Sequence, residues 1–120
     1  MIPIATLLGR YRTGYFPMAV EGGIGWFSPE PRGVIPLDRF QVPRRLARFL
    51  RQGRLQCTVN LSFRDVITAC ASREDTRGDW ISEHILESYC ALHEAGHAHS
   101  VEVWDADRLV GGLYGVSLRG

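Results

Sequence analysis

No run in this 120-residue chain approaches the ~20 consecutive apolar residues that a bilayer-crossing helix requires. The N-terminal MIPIATLLGRYR lacks a basic start followed by a long apolar core, so it does not read as a secretion signal. A membrane protein and an exported one are both disfavoured, and a cytoplasmic location is expected. Cysteine is scarce: Cys57, Cys70 and Cys90 are odd in number, widely spaced and form no C-x-x-C pair. That argues against a disulfide framework and suits a reducing compartment, with the three thiols expected as small buried hydrophobes. Spacing alone supplies no activating base for a catalytic cysteine. Lysine is absent; all 14 basic residues are arginine, a bias that genome composition suffices to produce. The chain also lacks internal repeats, low-complexity tracts and a glycine-rich pyrophosphate loop opening a helix, which weakens a generic acetyltransferase reading.

What remains is a composition of 45% hydrophobic and 22% charged residues, that of a soluble globular protein, in a length that suits one ordinary domain. The net charge of +1 hides an uneven distribution. Residues 1–55 carry nine arginines against three acids, a balance of +6, whereas residues 56–120 carry five arginines against ten acids, a balance of −5. A basic front half suits a polyanionic partner, and an acidic back half a positively charged one.

Periodicity and turn residues divide the chain further. Pro3 to Thr13 reads as a helix with Leu7, Leu8 and Tyr11 on one side and Gly14 as its stop. Tyr15 to Pro31 reads as loop, interrupted by a short strand at Ile24–Phe27, and Gly33 to Leu37 as a short extended piece. Pro43 to Gln52 is a second helix. Arg44, Arg48 and Arg51 share one face of it, with Arg45 at the flank, while Val42, Leu46, Phe49 and Leu50 form an opposite face expected to pack on the core. Leu55 to Val59 reads as a strand. Ser62 and Asp65 make a capping-box-like start to a helix ending near Ala71. A charged loop follows over Ser72–Asp79, and Ser82 to Ala95 forms the longest helix, with Ile85, Leu86, Tyr89 and Leu92 as its buried stripe. Leu109 to Leu118 is apolar and glycine-rich and would be left as an unpaired sheet edge, which suggests further strands beyond it.

His93 to Val116, HEAGHAHSVEVWDADRLVGGLYGV, invites two incompatible readings. His93-Glu94-Ala95-Gly96-His97 matches H-E-x-x-H, whose zinc chemistry needs both imidazoles one turn apart on an unbroken helix. Gly96, however, stands where a helix-ending residue of positive φ belongs. Beyond it, Ser100 to Trp104 alternates polar and apolar with the period of a strand. Helix end, glycine stop and two strands joined by a polar turn is the reading adopted, and no metal site is expected. His93, His97 and His99 then read as cap or packing residues, Trp104 as structural, and Glu94 and Glu102 have no identifiable proton-transfer partner.

HEAGHAHSVEVW followed by LVGGLYGV closely resembles the leucyl/phenylalanyl-tRNA–protein transferases of bacteria. GYFP (14–17), WFSPEPRGV (26–34), CAS (70–72) and DWI (79–81) match that family in the same order, so the resemblance runs along nearly the whole chain. It implies a mixed α/β (α+β) fold: a small N-terminal domain at 1–35, followed over 36–120 by the first half of an acyltransferase domain of the GNAT type. The implied reaction moves Leu or Phe from aminoacyl-tRNA onto the N-terminal Arg or Lys of a protein, marking it for degradation by the N-end rule. No cofactor is implied, and a monomer is expected. Family members continue past the GGLYG strand, and their catalytic acidic and amide residues lie in that later part. The catalytic groups are therefore expected beyond Gly120, with this chain a truncated form, inactive alone.

The resemblance aligns the family's tRNA-binding basic cluster with Arg44, Arg48 and Arg51. As chemistry, these read either as a solvated helix face or as phosphate contacts that position a partner without reading bases. Trp80 reads as a core anchor or as a stacking platform; by resemblance it lies against the terminal adenosine of the aminoacyl-tRNA. Another aromatic of that site falls at Met18 here, and Trp26 and Phe27 read as core aromatics. Leu113 lies between Gly112 and Tyr114-Gly115, and the resemblance makes it part of the aminoacyl pocket. Such a pocket admits unbranched and γ-branched apolar groups and excludes charge. Two rivals stand beside this reading: a non-catalytic RNA-binding module and a zinc metallopeptidase acting through HEAGH.

Overall fold

The computed structural model describes residues 1–72 and 80–119. Asp79 of the DWI block and most of the expected charged loop lie outside the described residues. Helix α1 (Ile4–Arg12) follows Pro3 and buries Leu7 and Leu8; Gly14, at φ +90°, turns the chain out of it. The next stretch differs from the loop expected. Strand β1 (Phe16–Val20) pairs antiparallel with β2 (Gly23–Phe27) across the two-residue turn Glu21-Gly22. Pro17 concealed β1, because proline cannot donate to a ladder and is tolerated only where the strand has a free edge, as it has in this two-stranded hairpin.

After the hairpin every residue from Ser28 to Arg45 is exposed, including a single 3-10 turn at Leu37–Arg39. Helix α2 (Arg44–Arg51) forms where the amphipathic pattern put it, but its apolar face does not pack on the core. Val42, Leu46 and Leu50 remain 46%, 46% and 54% exposed, and α2 makes no packing contact with another described helix or strand. Helical periodicity specifies an apolar stripe without specifying what covers it. The radius of gyration, 15.9 Å, reflects this protrusion; a compact chain of this length has about 14 Å.

Strand β3 (Gln56–Val59), β4 (Ala98–Asp105) and β5 (Arg108–Val116) form an antiparallel sheet in the order β3-β4-β5. Helices α3 (Phe63–Ala71) and α4 (Glu83–Glu94) pack on one face of it. Ser82 caps α4, its hydroxyl accepting from the Ile85 amide at 3.3 Å. Ser62 behaves differently from the capping box expected: its hydroxyl donates to Asp65 at 2.7 Å and takes no backbone amide of α3. The end of α4 is as the sequence indicated. Gly96, at φ +89°, lets its own amide reach the His93 carbonyl and the His97 amide reach the Leu92 carbonyl, a Schellman ending.

One core joins the parts. Ile2, Leu7 and Leu8 pack in the same buried cluster as Phe63 and Ile67 of α3 and Ile85, Tyr89 and Leu92 of α4. The result is the mixed α+β layer anticipated, with β5 at a sheet edge. The thiols differ from expectation: Cys90 is buried and Cys70 half-buried, but Cys57 on edge strand β3 is exposed.

Candidate functional site

Trp80 is held by its own backbone. The Ala19 amide of β1 donates to the Trp80 carbonyl at 2.8 Å, and buried Ile81 and the Ser82 cap follow at once. The indole is half-buried against the core, yet it also borders a cavity of about 330 Å³ with Tyr11, Phe16, Tyr89, Tyr114 and Gly115. Phe16 comes from the hairpin, Tyr11 from α1, Tyr89 from α4 and Tyr114 from β5. Four elements therefore converge on one aromatic recess. The Tyr11 and Tyr89 hydroxyls are hydrogen-bonded to each other with their rings perpendicular, and Tyr114 meets Tyr89 edge-on at 5.7 Å. Burial pushes the hydroxyls of Tyr11, Tyr89 and Tyr114 above the usual phenol value, so all three stay neutral, one of the Tyr11–Tyr89 pair donating to the other. The tyrosines escaped sequence reasoning, since at helical spacing Tyr11 and Tyr89 look like ordinary core residues.

Leu113 points the other way. Ladder pairing sets Val101 opposite Leu113, Val103 opposite Gly111, and His99 opposite Gly115, on the sheet face away from α3 and α4. No described element covers that face. Val59 is 67% exposed and Leu113 61%, and together with Val101 they line a shallow apolar site of about 210 Å³. Its polar rim is hydrogen-bonded. The Ser100 amide donates to Asn60 Oδ1 at 3.0 Å, so Asn60 Nδ2 must donate to His99 Nδ1, also at 3.0 Å. His99 consequently carries its proton on Nε2 and donates to Ser117 Oγ at 3.1 Å. The Leu113 site and the Trp80 recess share two lining residues, Gly115 and Val116. Of the residues singled out from sequence, Trp80 and Leu113 are thus brought to adjoining sites.

Arg44, Arg48 and Arg51 are not brought to them. All three are exposed along α2, and no residue of α2 lines either cavity. They do form the common basic face expected, without an ion pair to any described acid. Trp26 lies beneath the Arg10 guanidinium at 5.1 Å and packs against the core, and Trp104 donates from Nε1 to Thr58 at 2.8 Å; both fit structural roles.

The H-E-x-x-H arrangement is not formed. His93 stacks on Phe63 at 4.5 Å and its Nδ1 bonds the Ala98 carbonyl at 2.8 Å, while His97 follows the Gly96 reversal and leaves the helix. Among the described residues no group of three His, Cys, Asp or Glu side chains is placed to share a metal ion. Glu102, which had no partner in the sequence, has several in the fold. Its buried carboxylate accepts from the Thr58 hydroxyl at 2.6 Å, the Leu61 amide at 3.2 Å, and the Ser100 hydroxyl and Ser62 amide. Burial raises its pKa, but these bonds outweigh it and hold the carboxyl below the ordinary value.

Comparison with known proteins bears on the whole arrangement. The family model described as leucyl/phenylalanyl-tRNA protein transferase matches residues 34–120. The chain is 45% identical over 118 residues to the leucyl/phenylalanyl-tRNA–protein transferase of Pseudoalteromonas atlantica, which is 97% of this chain and 50% of that protein. It is 48% identical over 116 residues to the Tolumonas auensis protein of the same name, covering 95% of this chain and 50% of the relative. With the Novosphingobium aromaticivorans protein of that name the identity is 50% over 119 residues, 96% of this chain and 45% of the relative. The chain therefore spans about half the length of the curated relatives it matches. By the extent of these matches it belongs to the leucyl/phenylalanyl-tRNA protein transferase family of aminoacyltransferases.

Proposed function

We propose that these 120 residues bind the charged end of an aminoacyl-tRNA for transfer of its Leu or Phe to the N-terminal Arg or Lys of a protein. The observation that carries this reading is the aromatic recess at Trp80 lying against the apolar Leu113 site, a neutral stacking surface beside a place for one apolar side chain. A cavity of about 330 Å³ falls in the size range of small-ligand pockets. An apolar cavity of about 150 Å³ already takes up benzene, so about 210 Å³ suits an isobutyl or benzyl group. Trp80 stacks on the terminal adenosine, and Arg44, Arg48 and Arg51 attract phosphates elsewhere on the tRNA.

In the reaction the acceptor's α-amine attacks the ester carbonyl. A C–N bond forms, the bond to the ribose oxygen breaks, and the amine proton leaves to a base while the ribose oxygen gains one. Holding ester and amine together supplies much of the rate. The base belongs to the part of the family sequence that follows the GGLYG strand, so these residues bind the tRNA end without completing the transfer. The start of the family match at residue 34 is in keeping with a division near residue 35, and the family resemblance makes residues 36–120 part of a GNAT-like domain, on whose core residues 1–35 also pack. The setting is the cytosolic pool of charged tRNA, met by a monomer.

The test compares Leu-tRNA with the same tRNA uncharged. The protein is expected to bind the charged form more tightly, and Trp80→Ala to weaken binding by about 1–3 kcal/mol. Equal affinity for both forms would instead favour a general RNA-binding module. Transfer of labelled Leu to an Arg-initiated peptide by the chain alone would refute the proposed division of labour.

A further inference from the structure

β5 carries three glycines, and they differ in what fixes them. A Cβ on Gly112 would stand 2.8 Å from the Val101 carbonyl oxygen and 3.1 Å from Val66, so packing demands glycine there. At Gly111 a Cβ would meet Val103 at an ordinary 3.7 Å. At Gly115 it would meet nothing within 4 Å, and the backbone φ is not in the left-handed region. Neither conformation nor packing within the described chain therefore requires glycine at 115. Yet Gly115 borders both the Trp80 recess and the apolar Leu113 site, on a strand whose outer edge has no described partner.

We infer that Gly115 is the crossing point of the ligand: the ester linking adenosine to the amino acid passes over its bare backbone, from the Trp80 recess to the Leu113 site. A glycine within a strand is a known mark of close approach by a ligand. The polar rim fits the same path, because His99 lies directly across the ladder from Gly115 and holds Ser117 beside it. Gly115 thus selects for a joined ligand. A side chain there projects on the Leu113 face, into the path between the two sites.

This inference rests on the reading of the Trp80 recess as an adenosine site, and the experiment separates the two. Adenosine and an amide-linked phenylalanyl-adenosine, which cannot be hydrolysed as the ester is, are titrated into the 120-residue protein by calorimetry. The wild type is expected to bind the conjugate about tenfold more tightly than adenosine, the increment for burying one large apolar side chain. Gly115→Val is expected to abolish that advantage, weakening the conjugate far more than adenosine, with Gly115→Ala intermediate. Circular dichroism checks the fold, and if the valine variant is unfolded the alanine variant carries the comparison. An undiminished advantage in the folded variant overturns the role of Gly115 and leaves the adenosine site standing. Loss of adenosine binding in the variant also overturns it, by placing the obstruction inside the recess. Failure of the wild type to bind adenosine overturns both.

Discussion

Glu102 is the one charged side chain in the buried core of the described residues, and its surroundings give it a purpose at the scale of a single residue. Two hydroxyls and two backbone amides donate to it, tying β3, the turn into α3 and β4 to one carboxylate. Thr58, one of those donors, in turn receives the Trp104 indole. Glu102→Gln puts an amide N–H₂ where an acceptor is needed, and is expected to destabilise the fold by about 1–3 kcal/mol at neutral pH. The pH dependence has a definite sign. The folded carboxyl titrates below its unfolded value of about 4.3, so its contribution is complete above that pH and is lost as pH falls through the folded pKa. Urea melts from pH 7 to pH 3 should show the gap between wild type and variant closing on the acid side; a constant gap would mean that the ionised form is not what the donors stabilise. Sequence reasoning could not reach this. The donors lie 2 to 44 positions away along the chain, and alternation in Ser100 to Trp104 marked a strand without telling that its polar side, with Ser100 and Glu102, is the buried one.

At the scale of elements, legibility followed local chemistry. Gly96 was decisive because its positive φ ends α4 whatever surrounds it, and that single residue takes His97 off the unbroken helix that the H-E-x-x-H arrangement needs. Strand β4 was readable from alternation, and β5 with its place at an edge from an apolar, glycine-rich run after a polar turn. The hairpin strand β1 was not, since Pro17 and the pair Gly22-Gly23 look like loop until a partner strand is known. Helix α2 was found, but its covering was misjudged, because amphipathicity describes one surface of a contact and never the other. Its basic face yields a prediction. Each of Arg44→Ala, Arg48→Ala and Arg51→Ala should weaken tRNA binding irrespective of the attached amino acid. Each should also lower the log–log salt slope by about 0.7–0.9, the share of one phosphate contact. A slope that stays unchanged in the triple variant would reduce these arginines to a solvated face.

The whole molecule leaves much apolar surface in water. Val34, Ile35, Leu37 and Phe40 are exposed before α2, Leu46 and Leu50 along it, and Val59 and Leu113 on the open sheet face. Unfolding therefore uncovers less new apolar area than is usual for 120 residues, and the heat-capacity increment should fall below the ordinary ~12–15 cal/mol/K per residue. Scanning calorimetry of the 120-residue protein measures this directly, and an ordinary increment would show that the surface is covered in solution. The candidate sites were legible only through family resemblance at Trp80 and Leu113. Their juxtaposition, and the tyrosines around the first, arise from four elements meeting in space.

The bond from the Ala19 amide to the Trp80 carbonyl makes the hairpin and the indole a single lever. On the proposed reading, occupancy of the recess should be felt at a peptide group some sixty positions earlier in the chain. Deuterium uptake at Ala19 should slow when adenosine is added, turning one main-chain proton into a gauge of the proposed site's filling.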